Sequence, residues 1–322
     1  MNAMMLWSPG QSLSLAELAT TLPSIGDVYV RLKAAALNKR DYWITQGKYP
    51  GLVYPLVLGA DGAGIYDGRE VILNPSLNWG DDYQHFGPGF KILGMPDNGT
   101  LAQVVKIPEI NLYDKPSHLS WHEAAALPVA GVTAYRAMFT RGRAKPGDRM
   151  LITGIGGGVA TTALLFGAAM GIETWVTSSS EDKINLAMKY GAKGGANYTT
   201  ENWEKELAKK AEGKFDLVID GSGSPTFSKI LPIMNDSGRI IIYGGTSGNI
   251  DGLSPQRIFW KQLDILGTSM GSQDDFQQMI SFVNQHKIKP IVSQTFPLEQ
   301  ANEAIALIGR GDQFGKVCID IP

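Results

Sequence analysis

Residues Leu151 to Ala160 read Leu-Ile-Thr-Gly-Ile-Gly-Gly-Gly-Val-Ala, an apolar strand that runs into glycines and then into an alanine-rich helical stretch. Glycine lacks Cβ, so the backbone there turns tightly and lets a pyrophosphate approach the N–H groups at the helix start, where the dipole favours negative charge. The match to G-x-G-x-x-G is imperfect. Gly154-x-Gly156 is followed by Val159, and the register ending at Ala160 puts Ile155 where the first glycine would stand. A turn that merely joins a strand to a helix is the competing reading, but the strand before it and the helix after it favour dinucleotide binding. Gly154, Gly156, Gly157, Gly158 and Val159 are then cofactor contacts.

Around this turn the chain has two textures. From Asp27 to about Ile107 the segments are short, apolar and alternating, with frequent Gly and Pro, which predicts a mostly β unit. At Ser120 the texture changes: Ser120 and Glu123 form a capping box for a long helix through Ala137. Beyond it, strands at Met150–Thr153, Glu173–Thr177, Ala196–Tyr198, Phe215–Asp220, Arg239–Tyr243 and Leu263–Gly267 alternate with helical stretches, one of them near Phe227–Met234. That order predicts an α/β fold with a doubly wound parallel sheet. A chain of 322 residues, at about 150 per domain, leaves room for two domains.

Ligands of open α/β sheets sit at the carboxyl ends of the strands. Cofactor contacts are therefore expected at Tyr198, Ser222, Gly244, Gly245, Thr268 and Ser269. An NAD site places an acid about 20 residues after the turn. Here the sequence is Thr177-Ser178-Ser179-Ser180 followed by Lys183, which leaves space and a positive charge for a 2′-phosphate. Ser178, Ser179 and Lys183 thus favour NADP(H) over NAD(H), although Ser180 can equally cap the next helix and Lys183 can be solvated surface.

Lys plus Arg number 29 against 31 Asp plus Glu, a net charge of −2, which argues against nucleic acid or a membrane surface as partner. No run is long and apolar enough for a membrane span or a signal peptide, so a cytoplasmic protein is expected. The single cysteine, Cys318, rules out an intrachain disulfide and a Cys₄ metal site.

Nearly the whole chain resembles a medium-chain dehydrogenase/reductase of the zinc-free, quinone oxidoreductase-like branch. The resemblance is carried, in order, by Val30 to Asp41, Pro55 to Gly64, Gly99 to Val105, Ala124 to Tyr135, the glycine turn and Phe314 to Val317. It implies a GroES-like β catalytic domain (residues 1–120 and 272–322), a Rossmann nucleotide-binding domain inserted between (121–271), and a homodimer. It also implies that Asn38, Asp41 and Trp43 face the pocket and that Thr133 and Lys316 approach the cofactor.

Zinc-dependent members of the family place Cys where this chain has Asn38, and His before an acid where it has Ala60-Asp61. Neither residue supplies a thiolate or imidazole, so no metal is expected. Without a Lewis acid, hydrogen bonds must polarise the substrate oxygen, which suits quinones and α,β-unsaturated carbonyls because they delocalise the developing charge. Asn38 and the Trp43 indole can donate, and Lys39 or Arg40 can add positive charge. Structural roles compete: Asn38 can satisfy backbone groups, Trp43 can belong to the core, and Asp41 can pair with Arg40 or Lys39. The expected activity is hydride transfer from NADPH to such an acceptor. A zinc-type reductase of simple carbonyls and a nucleotide-binding protein with little catalysis are the alternatives. Gly267-Thr268-Ser269-Met270-Gly271 matches G-x-S-x-G, but His286 is the sole histidine after it and is expected on a helix, which weighs against a hydrolase.

Overall fold

The computed structural model describes residues 1–19, 22–224 and 226–322. It divides into two compact units, Met1–Val132 with Gly271–Pro322, and Thr133–Met270.

The first unit is built on a mixed sheet whose centre is the long strand Asp27–Leu37. Asp61–Tyr66 pairs antiparallel with one side of it, and the C-terminal strand Lys316–Asp320 with the other. Leu32, Leu58, Leu73 and Ile319 are fully buried in the core of this unit. The C-terminus therefore rejoins a sheet begun by the N-terminal part of the chain. The helix Trp121–Ala125 packs on Asp27–Leu37 and Asp61–Tyr66, which holds it in this unit although the sequence changes texture before it.

Two expectations change here. The β-rich stretch contains a helix, Lys39–Thr45, started where the Asp41 carboxylate accepts the Asn38 N–H at 2.8 Å. The long helix expected through Ala137 is three pieces: Trp121–Ala125, Pro128–Tyr135 and a π-helical turn, Arg136–Arg141. The Ser120–Glu123 capping box forms, but Pro128 lacks an N–H and its ring opposes a continuous helix, so the first piece stops short of it.

The second unit contains a six-stranded parallel sheet. Its spatial order is Gly194–Asn197, Glu173–Ser178, Arg149–Ile152, Phe215–Asp220, Met234–Ile242 and Asp264–Gly267. In sequence order this is 3-2-1-4-5-6, the doubly wound Rossmann arrangement. Leu151, Val218 and Ile240 are completely buried, as strands covered by helices require. The helix expected near Phe227–Met234 ends at Ile230, passes through a 3₁₀ turn, Leu231–Ile233, and gives way to a strand that starts at Met234.

Candidate functional site

In the first unit, strand register assembles a polar cluster. Ala36 lies opposite Asp61 and Leu37 opposite Val317, so Asn38, Asp61 and Lys316 meet at one end of three neighbouring strands. Lys316 Nζ donates to Asn38 Oδ1 at 2.6 Å and to Asp61 Oδ2 at 2.7 Å. The Asn38 amide donates to Asp61 Oδ2 at 2.8 Å, and Asp61 Oδ1 accepts the Val129 N–H at 2.7 Å. Lys316 is 3% exposed and Asp61 completely buried, whereas Asn38 is only partly buried.

The other expected pocket residues divide. Asp41 is completely buried and accepts N–H groups of Asn38 and Gly59, so it holds the strand end in place. Burial pushes its carboxyl up, against the Arg40 charge and the Asn38 N–H. Trp43 is partly buried, with the Tyr42 ring edge-on at 5.1 Å. Lys39 donates to the carbonyls of Ile308 and Gly309, and Arg40 to that of Leu93, so both cations are held by protein carbonyls. Asp61 and Lys316 acquire their partnership only through strand pairing; no pattern in the sequence places either beside Asn38.

In the second unit the glycine turn precedes the helix Gly158–Ala169. Gly154 and Gly156 have φ of 62° and 134°, values that favour glycine. Gly157 differs: its φ is −75° and a Cβ there would meet nothing within 4 Å. Packing and backbone conformation do not demand glycine at 157; the bare backbone there leaves room for close approach of a ligand. The first N–H groups of the following helix have no intrahelical acceptor. Together these residues fit a pyrophosphate.

Most other expected cofactor residues lie at or just beyond carboxyl ends of the strands. Ser178 is buried, with its Oγ accepting the Ser180 N–H at 3.1 Å, while Ser179 is exposed. Ser180 caps the next helix by accepting the Lys183 N–H at 3.4 Å. Tyr198 donates its N–H to the Ser178 carbonyl. Ser222 follows Asp220, Gly244 and Gly245 follow Met234–Ile242, and the exposed Ser269 follows Asp264–Gly267. Thr133 is buried on the helix Pro128–Tyr135. Burial pushes the Asp220 carboxyl up, and hydrogen bonds from Thr153 Oγ1 and the Gly223 and Ser222 N–H groups oppose the shift. Thr268, also expected at this strand end, has its Oγ1 buried without a hydrogen-bond partner among the described residues. A cavity of about 520 Å³, lined by Glu204, Lys229 and Arg257, lies at the opposite, N-terminal end of the Met234–Ile242 strand.

Residues 24–117 match the alcohol dehydrogenase GroES-like domain, and residues 158–285 match the zinc-binding dehydrogenase domain. The chain belongs to the medium-chain dehydrogenase/reductase superfamily. This superfamily comprises oxidoreductases that bind a nicotinamide cofactor. The chain is 37% identical to the zinc-type alcohol dehydrogenase-like protein YogA of Leptosphaeria maculans, over 96% of this chain and 94% of that protein. A crystal structure of an NAD-dependent alcohol dehydrogenase matches with a TM-score of 0.93 and 36% identity, covering 100% of both chains. Quinone oxidoreductase from Thermus thermophilus, whose complex with NADPH has been solved, matches with a TM-score of 0.83 and 27% identity over 99% of this chain and 100% of that one.

The zinc-binding domain match prompts the question of a metal. Among the described residues no group of three or more His, Cys, Asp or Glu side chains is placed to hold one. The amide of Asn38, the methyl of Ala60 and the ammonium of Lys316 do not fit a zinc donor set. His118 and His122, four residues apart, turn to the Ile288 carbonyl and the Asp320 carboxylate respectively.

Proposed function

We propose that this medium-chain reductase transfers hydride from NADPH to a quinone or an α,β-unsaturated carbonyl without zinc. The observation that carries the proposal is that the Asn38 amide, hydrogen-bonded to Lys316 and Asp61, stands in place of a thiolate, and the methyl of Ala60 in place of an imidazole. Such a cluster offers N–H donors to a substrate oxygen, and these are weaker polarisers than a metal ion. Conjugated acceptors match it because their developing charge is spread over several atoms.

When bound, the reduced dinucleotide supplies a hydride equivalent. Backbone N–H groups from Gly156 to Val159 hold its pyrophosphate, and the absence of a side chain at Gly157 supports that role. Ser179 and Lys183 receive the 2′-phosphate, and Asn38 donates to the acceptor oxygen. Hydride addition to an enone β-carbon leaves an enolate, which takes a proton from water; a quinone takes the hydride and a proton to become the hydroquinone. Trp43 supplies a flat wall for such acceptors.

The protein is further proposed to be a cytoplasmic homodimer. The sheet edge at Asp264–Gly267 supports dimerisation, together with the adjacent Phe259 and Trp260, which are 51% and 79% exposed.

The test is steady-state turnover of NADPH and NADH with a panel of quinones, 2-alkenals and simple ketones, before and after chelation, with metal content measured on the same sample. Turnover of conjugated acceptors with NADPH, unchanged by chelation, is expected. Reduction of simple ketones that needs stoichiometric zinc overturns the proposal.

A further inference from the structure

The orientation of the Asn38 amide is dictated by its neighbours. An ammonium only donates, so the atom facing Lys316 Nζ at 2.6 Å is the oxygen; the carboxylate of Asp61 accepts, so the atom facing it at 2.8 Å is the nitrogen. A flipped amide would set N–H against ammonium and oxygen against carboxylate.

The charge balance is equally definite. Asp61 Oδ2 accepts from Lys316 and Asn38, and Asp61 Oδ1 from the Val129 N–H. The ammonium and the carboxylate cancel, so the cluster carries no net charge beyond its own dipole. Lys316 is almost fully buried and Asp61 fully so; only Asn38 reaches the accessible surface. The amide has two N–H groups, and Asp61 takes one. The second has no acceptor among the described residues.

We propose that Lys316 is a positioning residue that acts through Asn38: by bonding Oδ1 it fixes the amide and draws electron density from it, so that the free Asn38 N–H becomes a stronger donor to a substrate oxyanion. This inference rests on the proposed reduction of a conjugated carbonyl. Chains of hydrogen bonds polarise one another, most strongly where water is excluded. Lys316 itself forms no bond to substrate and gives up no proton. As hydride reaches the acceptor carbon, the carbonyl π pair moves onto oxygen, and the polarised N–H meets the charge as it develops. Asp61, accepting from both the amide and Lys316, keeps the amide from rotating. Arginine at 316 would retain the charge with a different reach, while methionine would retain the packing and lose the polarisation.

The test uses the full-length protein with Lys316→Met, Lys316→Arg and the double variant Lys316→Met with Asp61→Asn, the last removing both charges so that no ion is left buried alone. Two readouts are taken. The first is turnover of the best conjugated acceptor, separated into kcat and KM, with dinucleotide affinity measured independently by fluorescence. Lys316→Met, assayed at saturating dinucleotide, is expected to lower kcat at least about tenfold with KM for the acceptor little changed, as for loss of a group felt mainly in the transition state. Lys316→Arg recovers part of kcat, and the double variant recovers the melting temperature without recovering kcat.

The second readout needs no turnover. 4-Nitrophenol, an oxyanion probe, is titrated by absorbance in the protein saturated with oxidised dinucleotide. The wild type is expected to lower the apparent pKa of the bound phenol by about one unit, equivalent to roughly tenfold preference for the anion, and Lys316→Met to abolish that shift. Full kcat in Lys316→Met, its return in the double variant, or a phenol shift that is absent from the wild type or survives Lys316→Met overturns the inference. A wild type that shifts the phenol but reduces no conjugated acceptor removes the proposed reaction and leaves the polarised amide standing.

Discussion

Lys316 Nζ lies 2.7 Å from Asp61 Oδ2, and the two side chains are 3% and 0% exposed. A buried pair of this kind is costly to break from one side, because the surviving charge is left without a partner. Asp61→Asn is expected to destabilise the protein by about 3–5 kcal/mol, and the added Lys316→Met to restore most of that. Urea unfolding of the two variants checks it; equal loss in both would mean that packing, not charge, holds this end of the sheet.

Glycines 157 and 99 should respond in opposite ways. A Cβ at Gly157 meets open space, whereas one at Gly99 would collide with the Gly59 carbonyl. Gly157→Val should leave the melting temperature nearly unchanged and weaken the dinucleotide at least about tenfold by keeping the pyrophosphate from the backbone. Gly99→Ala should unfold the protein at markedly lower temperature. Thermal scans with and without NADPH distinguish them; unaltered NADPH binding by Gly157→Val would remove the pyrophosphate from this turn.

Ser179 is exposed beyond the strand Glu173–Ser178. An acid at 179 sets a negative charge against a 2′-phosphate and offers an acceptor to a ribose hydroxyl. Ser179→Asp is expected to weaken NADPH by about 10- to 100-fold, a cost of about 1.4–2.8 kcal/mol, while improving or sparing NADH. Fluorescence titrations with both dinucleotides decide it; equal losses for the two would count against a 2′-phosphate site.

Cys318 is buried on the C-terminal strand, and burial pushes its thiol up to about 12. The thiolate is the reactive form, so native protein should show no titratable thiol at neutral pH and one after denaturation. A chromogenic disulfide reagent with and without guanidinium is the measurement, and rapid reaction of native protein would contradict the buried placement.

Asp220 gives a pH prediction. Burial raises its folded pKa above the ordinary carboxylate value, so between those two values the native state holds the proton more tightly than the unfolded chain. Its contribution to stability is therefore greatest at low pH and falls as pH rises through that window, then stays level. The stability of the wild type minus that of Asp220→Asn should decline over the same interval. Urea midpoints across pH would show a flat difference if the carboxyl were unperturbed.

Much of the nucleotide-binding unit was legible in the sequence. The glycine turn, the six apolar strands and the helices between them are local patterns, because each strand and turn draws its character from neighbours a few residues away. The helix Lys39–Thr45 was not legible, since a short helix among Gly- and Pro-broken strands leaves too few residues for a period to register. The break at Pro128 was available in the sequence, yet the alanine-rich run on either side masked it.

By itself the sequence determined the α/β class, the glycine turn between the first strand and helix of the parallel sheet, and the lack of zinc-type donors at Asn38 and Ala60. Those are matters of residue type and local order. Only the tertiary structure decided that Lys316 stands against Asn38 and Asp61, residues 278 and 255 positions away. The reason is physical: antiparallel pairing of the C-terminal strand with Asp27–Leu37 puts Val317 opposite Leu37, and no pattern within any one segment encodes that register.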